Sequence, residues 1–221
     1  KHFFKNTERI KRMKKIVAII LYLTSLSAAA ITPEHLLLYR GLFPVSRGEM
    51  ENESIAQNAA LLILDNMRES GIEDIILAVI KLPKNERQDI VTRVRPFVSE
   101  QMWGEHVARI IKAVSKIPAN DRENVLARAN MLIKKDMRGG HIFSIIEAVA
   151  KVQPIDWKNF LKYANMLIKD GMEGKDIRSI IGALASVAAN EWEDVLIQVK
   201  RLIKDGMSGA HIRSIIRAVR N

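Results

Sequence analysis

The sequence predicts an all-α fold, an α-solenoid of about five stacked helical-pair repeats of 35 residues. Three observations predict it. The pentad Ile-Ile-x-Ala-[Val/Leu] begins at Ile75, Ile110, Ile145, Ile180 and Ile215, a spacing of 35 each time. Met67, Met102, Met137, Met172 and Met207 keep the same step, as do Gly104, Gly139, Gly174 and Gly209. Aromatic residues are scarce at 5% and the chain holds only 11 Gly and 6 Pro, too few turn formers for an all-β fold.

Taken from the N-terminus, residues 1–12 precede a plausible start at Met13 and are read as a pre-start extension. Residues 13–30 have the order of a secretory signal peptide. Lys14 and Lys15 form the charged region, residues 16–23 are unbroken apolar, and Ala28-Ala29-Ala30 offers the cleavage site. The apolar stretch is shorter than the ~20 residues a membrane span needs. The expectation is export to a periplasm or medium, with no stable membrane anchor after cleavage. The short, Lys-Lys-led signal looks bacterial. Residues 31–52 are read as a cap, with a helix over 33–40 that starts at Thr32-Pro33 and carries Leu36, Leu37 and Leu38 on one side.

Residues 53–221 form the repeat domain, with helix pairs expected over 53–81, 86–116, 121–151, 156–186 and 191–221. Each pair reads as a longer helix followed by a shorter one. The longer helix is clearest from Asn190 to Lys204, where Val195, Leu196, Val199, Leu202 and Ile203 fall on one stripe. Asn190 with Glu193 has the spacing of a reciprocal N-terminal cap, and Asn120 with Glu123 repeats it. Asp156 is the expected cap where Pro154 breaks that pattern. Gly171 and Gly206 are expected as left-handed residues just past the helix, with Met172 and Met207 folding back on its last turn. The shorter helix is expected from Ile177 to Ser186, burying Ile177, Ile180, Ile181 and Leu184. Trp157 and Trp192 share a column with Arg87 and Arg122, and are expected to cover the junction with the preceding helix.

Helical pairs of 34–35 residues make this array similar to the tetratricopeptide and pentatricopeptide class. The similarity covers residues 53–221 in period and pairing. At the residue level it is thin: Trp157 and Trp192 are not followed by the Leu-Gly of the tetratricopeptide pattern. Lys169-Asp170-Gly171-Met172 and Lys204-Asp205-Gly206-Met207 resemble the pentatricopeptide helix end only faintly. TAL-effector repeats are near in length but carry a Gly-Gly loop absent here. The resemblance is one of architecture, and no base-reading residue follows from it.

The chemistry-bearing residues give little to an enzyme. There is no Cys, which removes disulfides, thiolate metal sites and cysteine nucleophiles. His106, His141 and His211 share a column with Asp176, but neighbours in it lie one repeat apart, too far to share one ion. The Gly-x-x-Gly turns at Gly171 and Gly206 lack the Lys-[Ser/Thr] and the strand of a phosphate loop. No catalytic residue, metal or cofactor is therefore expected.

The outward face of the shorter helices is the candidate partner-binding surface. Its residues vary between repeats while the core columns hold, as a recognition face on a constant scaffold would. The candidates are Arg109, Lys112, Phe143, Glu147, Arg178, Arg213 and Arg217, with Phe143 expected as an exposed aromatic anchor. The reading is an exported, non-enzymatic protein that binds a protein or peptide. The alternative is nucleic acid, bound by the basic C-terminal repeats. The formal charge is +10, but seven of the 35 Lys/Arg and one of the 25 Asp/Glu lie in residues 1–30. Residues 31–221 keep 28 basic and 24 acidic side chains, a net of +4. That weakens the alternative.

Overall fold

The computed structural model describes residues 49–100, 102–134, 137–204 and 206–220, all helix, turn or loop. The proposed extension, leader and 33–40 helix lie outside the described residues, as does the 31–52 cap up to residue 48. The chain divides into two compact units, Lys1–Ile111 and Lys112–Asn221. Among the described residues there are ten α-helices and no strand. They are α1 (Glu49–Ala60), α2 (Glu69–Ile80), α3 (Arg87–Val94), α4 (Gly104–Ser115), α5 (Arg122–Asn130), α6 (Gly139–Val149), α7 (Trp157–Leu167), α8 (Gly174–Leu184), α9 (Trp192–Leu202) and α10 (Gly209–Arg220). No described helix is long and apolar enough to cross a membrane.

In the first unit α1 packs against both α2 and α3. Ile55, Ala56 and Ala59 of α1 meet the core with Ile75, Ile76 and Val79 of α2, all fully buried. In the second unit α8 lies between α6 and α10, and α7 packs on α9. The pairs α5–α6, α7–α8 and α9–α10 are also in contact. The Ile-Ile column forms the floor of this packing: Ile145, Ile146, Ile180 and Ile181 are 0% exposed. The apolar stripe that is only a pattern in sequence is thus the buried stripe in space.

Several local expectations are corrected. The second helix of each pair is not the shorter. In the four later pairs it begins at its glycine, at Gly174 three residues before the expected Ile177, and α10 has 12 residues against 11 in α9. The expected first helix is trimmed at both ends, since Ala189–Glu191 forms a 3-10 turn and α9 stops at Leu202. Neither Glu191 nor Asp156, the residues at the entry to α9 and α7, makes a side-chain capping bond. Gly171 and Gly206 do have positive φ, +82° each, but they stand four residues beyond the helix end. There each occupies the third place of a turn closed by Met172 N–H to Lys169 C=O (3.3 Å) or Met207 N–H to Lys204 C=O (3.4 Å). A left-handed third residue is what a type II turn requires, hence glycine. The methionine sulfur then accepts the N–H of Lys169 or Lys204 at 3.5 Å, whereas Met67, Met102 and Met137 of the same column are buried in the core.

Equivalent positions differ in how much they bury. Leu167 ends α7 at 3% exposure, whereas Leu202, at the same place in α9, is 53% exposed. Leu167→Ala is therefore expected to cost about 3 kcal/mol through lost transfer energy and an unfilled cavity. Leu202→Ala should cost under about 1 kcal/mol, because the side chain already meets water. Urea denaturation of the two variants reads the difference.

Candidate partner-binding surface

The candidate residues fall into separate settings. Arg109 and Glu105 form an ion pair one turn apart on α4, and both side chains are 51% exposed. Lys112 is exposed. In the second unit, Phe143 and Glu147 on α6, Arg178 on α8, and Arg213 and Arg217 on α10 are brought onto adjacent helices. Of these only Arg217 is exposed; the other four are half-buried. Phe143 is thus not the free-standing anchor expected. Ser179, next to Arg178 on α8, is 8% exposed and its hydroxyl donates to the Lys175 carbonyl at 2.8 Å. The helices sit closer together than a face counted at helical spacing implies, so the edges of that face turn inward. Glu147 reaches Lys116 at 3.3 Å, a water-exposed pair worth ~0–1 kcal/mol.

The glycine column has a tertiary cause. In the first unit, α2 and α4 meet backbone to backbone at Gly71 and Gly104: a Cβ on Gly71 would stand 2.9 Å from the Gly104 nitrogen. In the second, Gly174 faces the His141 ring and Gly209 faces the Asp176 backbone. Asp176 also accepts the Gly209 N–H at 2.8 Å, so it caps α10 rather than its own helix α8. The histidine column is therefore a packing position beside the next glycine. Among the described residues no group of three or more His, Asp or Glu could hold a metal ion.

Three of the four members of the Trp/Arg column behave as expected, while Trp157 is half-buried and lies against Phe160 of its own helix, ring centres 5.5 Å apart. Trp192 is 3% exposed and donates its indole N–H to the carbonyls of Leu184 (3.1 Å) and Val187 (3.0 Å), at the end of α8. Arg122 Nε donates to Ile117 C=O at 3.1 Å, and Arg87 Nε to Val79 C=O at 3.3 Å. Trp192 also packs at a tilt against Phe160, ring centres 5.5 Å and planes 58° apart, and is closed to any ligand.

One residue escaped the sequence reading. Trp103 is 70% exposed at the entry to α4, and its carbonyl accepts the His106 N–H at 2.9 Å. Its ring lies parallel to His106, centres 5.6 Å apart and planes 5° apart. It borders a cavity of about 410 Å³, also lined by Arg68, Asp74, Glu100 and Glu105. The Asn66 amide donates to the Glu100 carbonyl at 2.6 Å and fixes one wall. The signal was present: the same column reads Arg68, Arg138, Glu173 and Ser208, so a tryptophan at a helix entry is the odd member.

Beside this cavity, burial holds the Glu69 carboxyl above its ordinary pKa, and the charge of Glu73 adds to the shift. A carboxyl raised in the folded chain favours folding at low pH and loses that contribution as pH climbs past the ordinary carboxylate range. In the second unit Lys175 donates to Glu173 at 2.9 Å, which lowers the Glu173 carboxyl and raises the Lys175 ammonium. Both side chains are open to water.

The class defined at this point is an all-α protein of packed helices. No family model, curated protein or solved structure matches the chain.

Proposed function

We propose that the chain is an exported, non-enzymatic α-solenoid that binds a protein or peptide partner through the outward residues of its second helices. The observation that carries this reading is the contrast on α6, α8 and α10. Their inward columns keep one residue type and are buried, as at Ile145 and Ile180, both 0% exposed. Their outward positions change from Phe143 to Arg178 to Arg213, and from Glu147 to Gly182 to Arg217. A scaffold needs constant columns; variation between otherwise equivalent surface positions supports recognition of an irregular partner.

Site-specific photo-crosslinking tests it. A crosslinker at Lys112 or Arg217, both exposed, should capture a defined protein adduct. One at Glu193, exposed on α9, should not. Equal capture at all three positions overturns the assignment of that face. Nucleic acid is the competing partner, favoured by exposed Arg201, Lys204, Arg217 and Arg220. It predicts adducts that nuclease removes and affinity that falls steeply with salt. Export is read from the mature N-terminus, which should be Ile31.

A further inference from the structure

We infer that the cavity beside Trp103 is a docking site for an arginine side chain of a peptide. This site lies within the first unit and stands apart from the outward face considered above.

The argument starts from the ring. An indole left 70% exposed gives up the stabilisation that burying its area would bring. One face is occupied by the parallel His106 ring. That contact holds the indole in place at the rim, and the other side remains accessible. A tryptophan face attracts cations, and a planar guanidinium both stacks on it and offers a fork of donors to a carboxylate.

Charge in the cavity agrees. Asp74, Glu100 and Glu105 line it against a single guanidinium, Arg68. Glu105 already pairs with Arg109, which leaves Asp74 and Glu100 as the carboxylates this proposal uses. Two helix entries meet nearby, at Gly71 and Gly104, and each contributes a partial positive charge of about one half. Glu69 and Glu105, in the first turns of α2 and α4, offset that contribution. The site therefore presents negative charge beside an aromatic face. It does so on a chain of net charge +10, which as a whole repels polycations. Binding of a cationic peptide would thus report a local site rather than general attraction. A volume near 410 Å³ accommodates one long side chain and its flanking backbone.

The test uses the full chain and a fluorescently labelled Ac-Gly-Arg-Gly-Arg-Gly-amide, with lysine and glutamate counterparts. Fluorescence anisotropy should show saturable binding of the arginine peptide, several-fold weaker binding of the lysine peptide and none of the glutamate peptide. Trp103→Ala should abolish binding, and Asp74→Asn should weaken it at least tenfold. Both side chains stand at the rim or wall, so circular dichroism and thermal melting confirm that the variants stay folded. Trp103 emission, read in a Trp157→Phe background, should shift on binding, because Trp192 is buried. The proposal is overturned if the arginine peptide fails to bind at millimolar concentration, or binds Trp103→Ala as it binds the parent. Crosslinking at Lys112 and Arg217 reads the outward face separately, so either idea can fail without the other.

Discussion

Replacing Gly209 by alanine is expected to destabilise the second unit by about 3 kcal/mol. Overpacking of this kind costs ~1–3 kcal/mol where side chains can yield, and more where they cannot. Here the new Cβ would overlap the backbone of Asp176. Relief requires moving α10 away from α8, which loses the Asp176–Gly209 hydrogen bond and opens contacts of Ile212 and Ile216, 0% and 1% exposed. Two further alanines grade the same chemistry. At Gly174 the Cβ would approach the His141 ring at 2.7 Å and Met137 Cγ at 2.9 Å, and side chains can turn aside. A milder loss of about 1 kcal/mol is expected. At Gly182 nothing lies within 4 Å. Removing glycine from a helix interior there should stabilise by about 0.5–1 kcal/mol. Thermal melts should therefore rank Gly182→Ala above the parent, then Gly174→Ala, then Gly209→Ala. A Gly209→Ala chain as stable as the parent would refute close approach as the cause of the column.

The same column shows where sequence reasoning ends. Its period was legible, and so was the burial of the Ile-Ile stripe, because amphipathic spacing is a local property of the chain. The cause of the glycine was not. At Gly209 it lies 33 residues away, in the backbone of Asp176 on the preceding second helix, and no local pattern reveals a contact of that kind. Helix entry was misplaced for the same reason. Isoleucine marks the first buried side chain, but the helix begins at the glycine that its neighbour requires. The outward face was legible as a set of varying positions. The tilt that half-buries Phe143, Arg178 and Arg213 depends on neighbouring helices and could not be counted off a wheel. Trp103 was readable as an anomaly in its column; its exposure and the cavity beside it were not.

The largest single loss is expected at Trp192. Truncation to alanine should cost about 4 kcal/mol, since it empties a buried indole volume against Phe160. It also strips a donor from Leu184 and Val187, carbonyls at a helix end with few other partners. Substitutions separate the two effects. Trp192→Phe keeps most of the volume and loses the N–H, so about 1–2 kcal/mol is expected. Trp192→Arg restores a donor in the geometry that Arg87 and Arg122 use, at 1% and 2% exposure. It brings a charge into a site where the shorter Asp156 holds the sequence position of the Glu51 that stands 3.5 Å from Arg87. Desolvation of that charge should leave Trp192→Arg less stable than the parent but more stable than alanine. The converse change, Arg122→Trp, removes a buried charge while keeping a donor toward Ile117, and should be neutral or stabilising. Denaturant titrations give all four values. If phenylalanine proves as costly as alanine, the carbonyl bonds dominate. If arginine proves worse than alanine, the column is held by apolar packing at Trp192, and the shared hydrogen-bond pattern does not make tryptophan and arginine exchangeable.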